Sequence, residues 1–223
     1  ELLALPEVDL TTVGVHDPAL GEVVRSRRST RVHNDQAPIG QEELSELLAR
    51  VAAVKEVTFD GHEEVSFRQL PSGGALHELE IYPLVHHCAG LEPGLYHYHA
   101  GDHGLELVCP ADAKTKLLLE YAQRMSVMES SPQVTLLLAA RFNRAMWKYE
   151  SMAYSLVLKH VGVMYEALYL TCAAMGLAGV ALGGGNSAAF AAASGLSMYQ
   201  EGTVGEFVVG SLPASEPIVA SAS

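Results

Sequence analysis

Basic residues are scarce in this chain: 14 Lys and Arg stand against 26 Asp and Glu, for a net charge of −12. That balance argues against a general nucleic-acid binder and against a surface that clings to anionic lipid, so recognition by charge has to be local. Cysteine is almost absent. Cys88, Cys109 and Cys172 form no CxxC and cannot all pair, which supports neither a disulfide framework nor a zinc ribbon. No GxGxxG fingerprint of a dinucleotide fold is present. A membrane helix needs roughly 20 uninterrupted apolar residues, and the longest apolar stretch, Val161 to Leu182, is broken by Glu166 and several small residues. No basic segment followed by an apolar one marks a signal peptide. A reducing, cytoplasmic compartment is expected, and the opening Glu1 reads as the start of a trimmed or excised piece.

What is present is a core. With 49% of its 223 residues hydrophobic and 18% charged, the chain can bury one large domain. Residues 1–17 lack a sustained period and read as an N-terminal arm; the domain proper is expected over 18–212 and a frayed tail over 213–223. Helices are predicted over Pro18 to Arg28 and around Leu44, Leu47, Leu48 and Val51, whereas residues 55–78 read as loop. Ile81 to Val85, Gly94 to Tyr98 and Leu105 to Val108 suggest a strand meander. Helix follows over Ala113 to Met128, then a fully buried strand over Val134 to Ala140. Ser151 to Met175 is the longest helical candidate. Its apolar residues lie on nearly every face, which predicts burial in the core or against a partner subunit. Short strands over Val180 to Leu182 and Val204 to Val209 flank an Ala-rich helix from Asn186. The order is α+β: a central, mostly antiparallel sheet flanked by helices.

Three features carry chemistry. Four of the nine arginines fall in seven residues, Arg25, Arg27, Arg28 and Arg31, with Ser29 among them. Such a fork offers bidentate hydrogen bonds to phosphate, the alternative being a solvated basic turn. Pro71, Ser72, Gly73 and Gly74 combine a fixed φ, a hydroxyl and two flexible positions, which lets backbone approach a flat ligand. Gly183 and Gly184, with Gly185, sit between a strand and a helix, where backbone amides can hold phosphate or a tight turn can simply pack. Ten histidines, among them His97, His99 and His103, invite a metal reading, but three or four convergent ligands are required, so no metal is expected.

Together these stretches resemble the SagB-type dehydrogenases of the nitroreductase superfamily, the flavin-dependent azoline oxidases of thiazole- and oxazole-forming synthetases. The resemblance rests on RRSTR at 27–31, PSGGALHELEIYPLV at 71–85, GLYHYHAGDHGLEL at 94–107, WKY at 147–149 and GVMYEALYLTCAAMGLAG at 162–179. It implies a nitroreductase-like fold that binds FMN at the interface of a homodimer, with the long helix at that interface. Arg27, Arg28, Ser29 and Arg31 would take the phosphate end. Pro71, Ser72, Gly73 and Gly74 would run along the isoalloxazine ring, with Gly183 and Gly184 on the far side. The Lys-Tyr pair that azoline oxidases need for turnover falls on Lys148 and Tyr149. The implied activity is oxidation of a thiazoline or oxazoline, in a peptide or carrier-bound substrate, to the aromatic ring. Lys148 or Tyr149 would take the acidic ring proton as the flavin takes the electrons, and oxygen would reoxidise the flavin. Other synthetase subunits are possible partners; nucleic acid and membrane are not expected. Two other functions stay open: an NAD(P)H-dependent nitro or quinone reductase, and a flavin-binding scaffold subunit without catalysis. The chain departs from its relatives at Glu166-Ala167 and Gly210-Ser211, where Gln-Asn and a basic residue are common.

Overall fold

Val134 to Ala140 is apolar at every position but Thr135, the pattern of a strand covered on both faces. It forms an interior strand of a seven-stranded sheet, next to the central one. The computed structural model describes residues 1–59, 61 and 64–213, with backbone alone at Glu64. The strands are β1 (Leu2–Ala4), β4 (Leu79–Val85), β5 (Gly94–His99), β6 (Gly104–Pro110), β7 (Val134–Arg141), β8 (Leu177–Leu182) and β9 (Glu201–Ser211). They lie in the order β1-β6-β5-β4-β7-β9-β8, every neighbouring pair antiparallel.

Alternation along β7 sorts the helices into two layers. Leu136, Leu138 and Ala140 pack with α2 (Gln41–Ala52) and α5 (Ala153–Met175) in the larger core, through Leu44, Leu48, Val157, Val161 and Leu168. Leu137 and Ala139 point the other way, to Leu118 of α3 (Ala113–Ser126) and Phe190 of α6 (Ser187–Ser194). Side chains alternate across a strand, so one run of residues serves both cores. The α+β class and the antiparallel sheet expected from the sequence are what the chain adopts.

Several expectations need correction. Residues 55–78 are not all loop: β2 (Val54–Phe59) pairs with β3 (Glu64–Arg68) in a separate two-stranded ribbon. Its apolar residues Val57, Phe59 and Phe67 are exposed, so no buried face reinforced the period-two signal. The arm opens with β1, which adds an edge to the sheet, and Arg50 ties its far end through Asp17, at 2.6 and 3.1 Å, and the carbonyl of Val13. Helix α1 spans Leu20–Ser26. Before α5 the chain makes α4 (Phe142–Tyr149) and a 3-10 turn over Glu150–Met152. Within one chain α5 is buried on a single face, by Ala153, Val157, Val161, Met164, Leu168 and Cys172. Tyr154 and Leu158 are 58% and 46% exposed. Apart from Pro213, the predicted tail lies outside the described residues. No helix among the described residues is long and apolar enough to cross a membrane.

Candidate functional site

The Pro71–Gly74 run is held from beneath by buried polar groups. Glu78, 1% exposed, accepts from His160 Nδ1 and, at 3.2 Å, from the Ser72 hydroxyl. The His77 amide donates to Ser72 Oγ at 3.0 Å. On its other side, His160 Nε2 accepts from the Gly73 N–H at 2.9 Å. Because Nε2 accepts, a neutral ring carries its proton on Nδ1, directed at the Glu78 carboxylate. A pocket lined by Pro71, Ser72, His160 and Met164 opens beside this network.

Lys148 and Tyr149 end α4 directly against the same turn. A Cβ built on Gly74 would stand 2.7 Å from Lys148 Nζ and 2.9 Å from Tyr149 Oη, and one on Gly73 would stand 3.6 Å from Tyr149 Oη. Gly74 has φ +61°, and Ala75, His77 and Glu150 take positive φ as well. Non-glycine residues in that region cost about 1–3 kcal/mol each and persist where the surroundings impose them. The strain clusters on the turn and on the residue after Tyr149. Here the structure brings together six of the residues singled out in the sequence, Pro71 to Gly74 with Lys148 and Tyr149, and two others, Glu78 and His160. That α5 holds a single His was the one signal for the latter.

The arginine cluster lies elsewhere. Arg27 stacks its guanidinium on the Tyr169 ring, 5.1 Å from the centroid, and Ser29 Oγ meets Tyr169 Oη at 2.8 Å. Arg28 lines a pocket with Thr30, Tyr169 and Gly179. Arg31 is partly committed, its Nε donating to the Ser126 carbonyl at 2.9 Å. Gly183 and Gly184 line a further pocket with Tyr154, Tyr165 and Glu206, and a Cβ on Gly183 would meet nothing within 4 Å. Tyr165 and Tyr169 bind this side together: Tyr165 Oη takes the Glu206 N–H and Tyr169 Oη the Ala181 N–H. Glu206 is 3% exposed, and burial pushes its carboxyl up to about 7, opposed by the Asn186 N–H at 3.3 Å. At the family departures, Gly210 makes room for the His33 ring and Ser211 bonds Gln133, while Glu166 is exposed.

These two groups occupy opposite flanks of α5. His160 and Tyr169 are nine residues apart, which at about 100° per residue turns them half a revolution away from each other. One chain therefore does not gather its arginines and its Lys148-Tyr149 pair at one point. His97, His99 and Glu106 offer ligand atoms within 4.8 Å of one another, but His97 Nε2 lies on Glu80 and His99 Nε2 on Glu106, at 3.0 and 3.1 Å.

The family model described as "Nitroreductase family" matches residues 24–211, and the chain belongs to that family. It is a nitroreductase-family flavoprotein. A Methanocaldococcus jannaschii protein provisionally named a nitroreductase is 27% identical over 169 residues, 76% of this chain and 80% of its own length. The trifolitoxin-processing protein TfxB of Rhizobium leguminosarum bv. trifolii is 30% identical over 152 residues; that covers 65% of this chain but only 41% of TfxB. Among solved structures, a provisionally named nitroreductase of Ralstonia eutropha superposes with TM-score 0.74 at 24% identity, over 96% of this chain and 90% of the other. The E. coli microcin synthetase McbBCD complex with truncated pro-MccB17 gives TM-score 0.70 at 19% identity, over 93% and 75%. The NADPH:FMN oxidoreductase of Vibrio harveyi complexed with NAD+ gives TM-score 0.57 at 16% identity, over 89% and 70%. At these identities the structures speak for the fold.

Proposed function

We propose that the protein is an FMN-dependent dehydrogenase, a homodimer that oxidises a thiazoline or oxazoline ring of a peptide or carrier-bound substrate to the aromatic azole. The reading rests on the contact of Lys148 Nζ and Tyr149 Oη with the strained Gly74 turn. Its peptide context is supported by the identity to TfxB and by the fold likeness to a microcin synthetase.

The residues suit the cofactor. Arg27, Arg28 and Ser29 supply charged and hydroxyl donors for a single phosphate, and the open space over Gly183 admits a flat ring. Since these lie half a turn of α5 from the Gly74 turn, a second copy would contribute the other half of each site. Tyr154 and Leu158 on α5 and Leu20 and Val24 on α1 are exposed apolar pairs four residues apart, the kind of surface a subunit covers.

Bound FMN would supply the two-electron acceptor. The chain's own work is with the proton. The ring carbon between C=N and carbonyl is acidic; one of Lys148 Nζ and Tyr149 Oη takes its proton while the other donates a hydrogen bond to the carbonyl. His160 and Glu78 hold the turn on which both rest. In the test, purified protein releases FMN on denaturation and removes two hydrogens from a synthetic thiazoline peptide, read by mass spectrometry. FAD in place of FMN, or flavin bleached rapidly by NADPH with the thiazoline untouched, would point to the reductase reading instead.

A further inference from the structure

A second cavity, of about 390 Å3, backs onto the same turn, a volume within the range of about 300–1,000 Å3 typical of small-ligand sites. Gly74, Arg68, Arg144 and Trp147 line it. Gly74 is the residue that Lys148 Nζ overlies, and the ammonium lies 5.8 Å from the centroid of the Trp147 ring. The cavity and the Lys148-Tyr149 pair thus share a wall.

Among the described residues that line it, the charged ones are Arg68 and Arg144, both cationic, in a chain whose overall charge is −12. Arg141 is spent on two carboxylates, Glu80 at 3.0 Å and Glu201 at 2.9 Å. Arg144 reaches the same Glu80 and the His77 carbonyl, both at 3.2 Å. His97 also lies on Glu80, at 3.0 Å, and the Tyr82 hydroxyl donates to Glu201. Arg68 stands apart: its Nε is buried without a hydrogen-bond partner among the described residues. Burial pulls its pKa below the ordinary arginine value, with Glu80 opposing that shift. A buried guanidinium donor left unpaired is costly, and a planar anion is its natural complement.

We propose that this cavity binds a carboxylate of the peptide substrate, gripped by Arg68 and Arg144 so that the neighbouring ring lies at Lys148. The inference rests on the peptide-oxidising reading of the adjoining site. The carboxylate could come from an acidic side chain or from a peptide C-terminus. Trp147 is the only tryptophan of the chain and lines the cavity, so its fluorescence reports occupancy without turnover.

Three probes are titrated into the flavin-loaded protein: acetyl-Gly-Gly-Glu-Gly-Gly-amide, the same peptide with Gln for Glu, and acetylated pentaglycine with a free C-terminus. A saturable change in Trp147 emission is expected with the Glu peptide, the free acid or both, whichever responds identifying the source. The Gln peptide should bind about 10-fold or more weaker, as should the responding probe to Arg68→Gln, as for loss of a charge-assisted bond. Saturable binding of the Gln peptide as tight as that of the responding probe, no response to any probe, or an unchanged Arg68→Gln affinity would each overturn the proposal. Should Arg68→Gln fail to fold, the responding probe against the Gln peptide, which carries no carboxylate, decides on the parent protein alone. Because the signal needs no azoline chemistry, dispensability of Lys148 and Tyr149 would sink the proposed reaction and leave this test standing.

Discussion

The two flanks of α5 are built differently. On the His160 side, a buried carboxylate, an imidazole and a hydroxyl lock a turn with several positive φ values, and Lys148 and Tyr149 bear on it. On the Tyr169 side, the loop from Arg27 to Thr30 runs along β8, with the Thr30 N–H on the Gly179 carbonyl, and rests on the Tyr169 ring. Strain and the His160–Glu78 pair mark the first flank; stacking and the open space over Gly183 mark the second. Proton transfer needs groups fixed to fractions of an ångström, whereas a phosphate is well served by several donors that adapt to it. On the proposed reading, the chemistry falls to the first flank and cofactor retention to the second.

Breaking the strained flank should have the larger effect. Lys148→Ala and Tyr149→Phe are expected to keep bound flavin while azoline oxidation falls at least ~100-fold, the low end for general acid–base catalysis. Single-turnover rates with flavin content measured in parallel check it; near-parental rates would make the pair structural. On the other flank, Arg28→Ala should weaken FMN retention by roughly 1.5 to 3 kcal/mol and leave turnover at saturating FMN little changed. Equilibrium dialysis against free FMN measures the first quantity, and equal retention would remove Arg28 from the phosphate site.

A smaller effect distinguishes Glu206. Its carboxyl is pushed up from 4.5 to about 7, so the folded state holds a proton that the unfolded state releases. Stability from this group is therefore full below about 4.5, declines as pH rises to about 7 and levels off above it, by at most about 3 kcal/mol. Glu206→Gln, which can still accept from the Asn186 N–H, should flatten that decline in denaturant melts between pH 5 and 8. An unchanged slope would contradict the assignment.

How much of this was legible in the sequence follows from where neighbours supply the signal. β7, α2 and α5 were readable because burial leaves its mark in their own residues, an apolar run in β7 and a helical period in α2 and α5. The β2–β3 ribbon was not, since Val57, Phe59 and Phe67 face solvent. Nor was the full extent of the buried face of α5: the apolar pattern of Ser151 to Met175 suggested burial all round, while Tyr154 and Leu158 are exposed in one chain. Leu168, fully buried in the protomer itself, is accordingly no probe of an interface; Leu158 is. At the site, the short motifs at 71–74 and 148–149 were visible as motifs. Their support was not, because Glu78 and His160 are 82 residues apart and meet only through tertiary folding. Arg68 likewise gains its meaning from the cavity around it.

The central claim, that the two flanks of α5 act together across two copies, is tested by subunit complementation. Arg28→Ala and Lys148→Ala chains, each inactive or nearly so at limiting FMN, are given different tags and purified as a mixed dimer. If each site draws its arginines from one copy and its Lys148-Tyr149 pair from the other, one of the two sites is intact and about half of the parental azoline-oxidising activity returns. A mixed dimer no more active than its parents would mean that each chain assembles its site alone, contradicting the account.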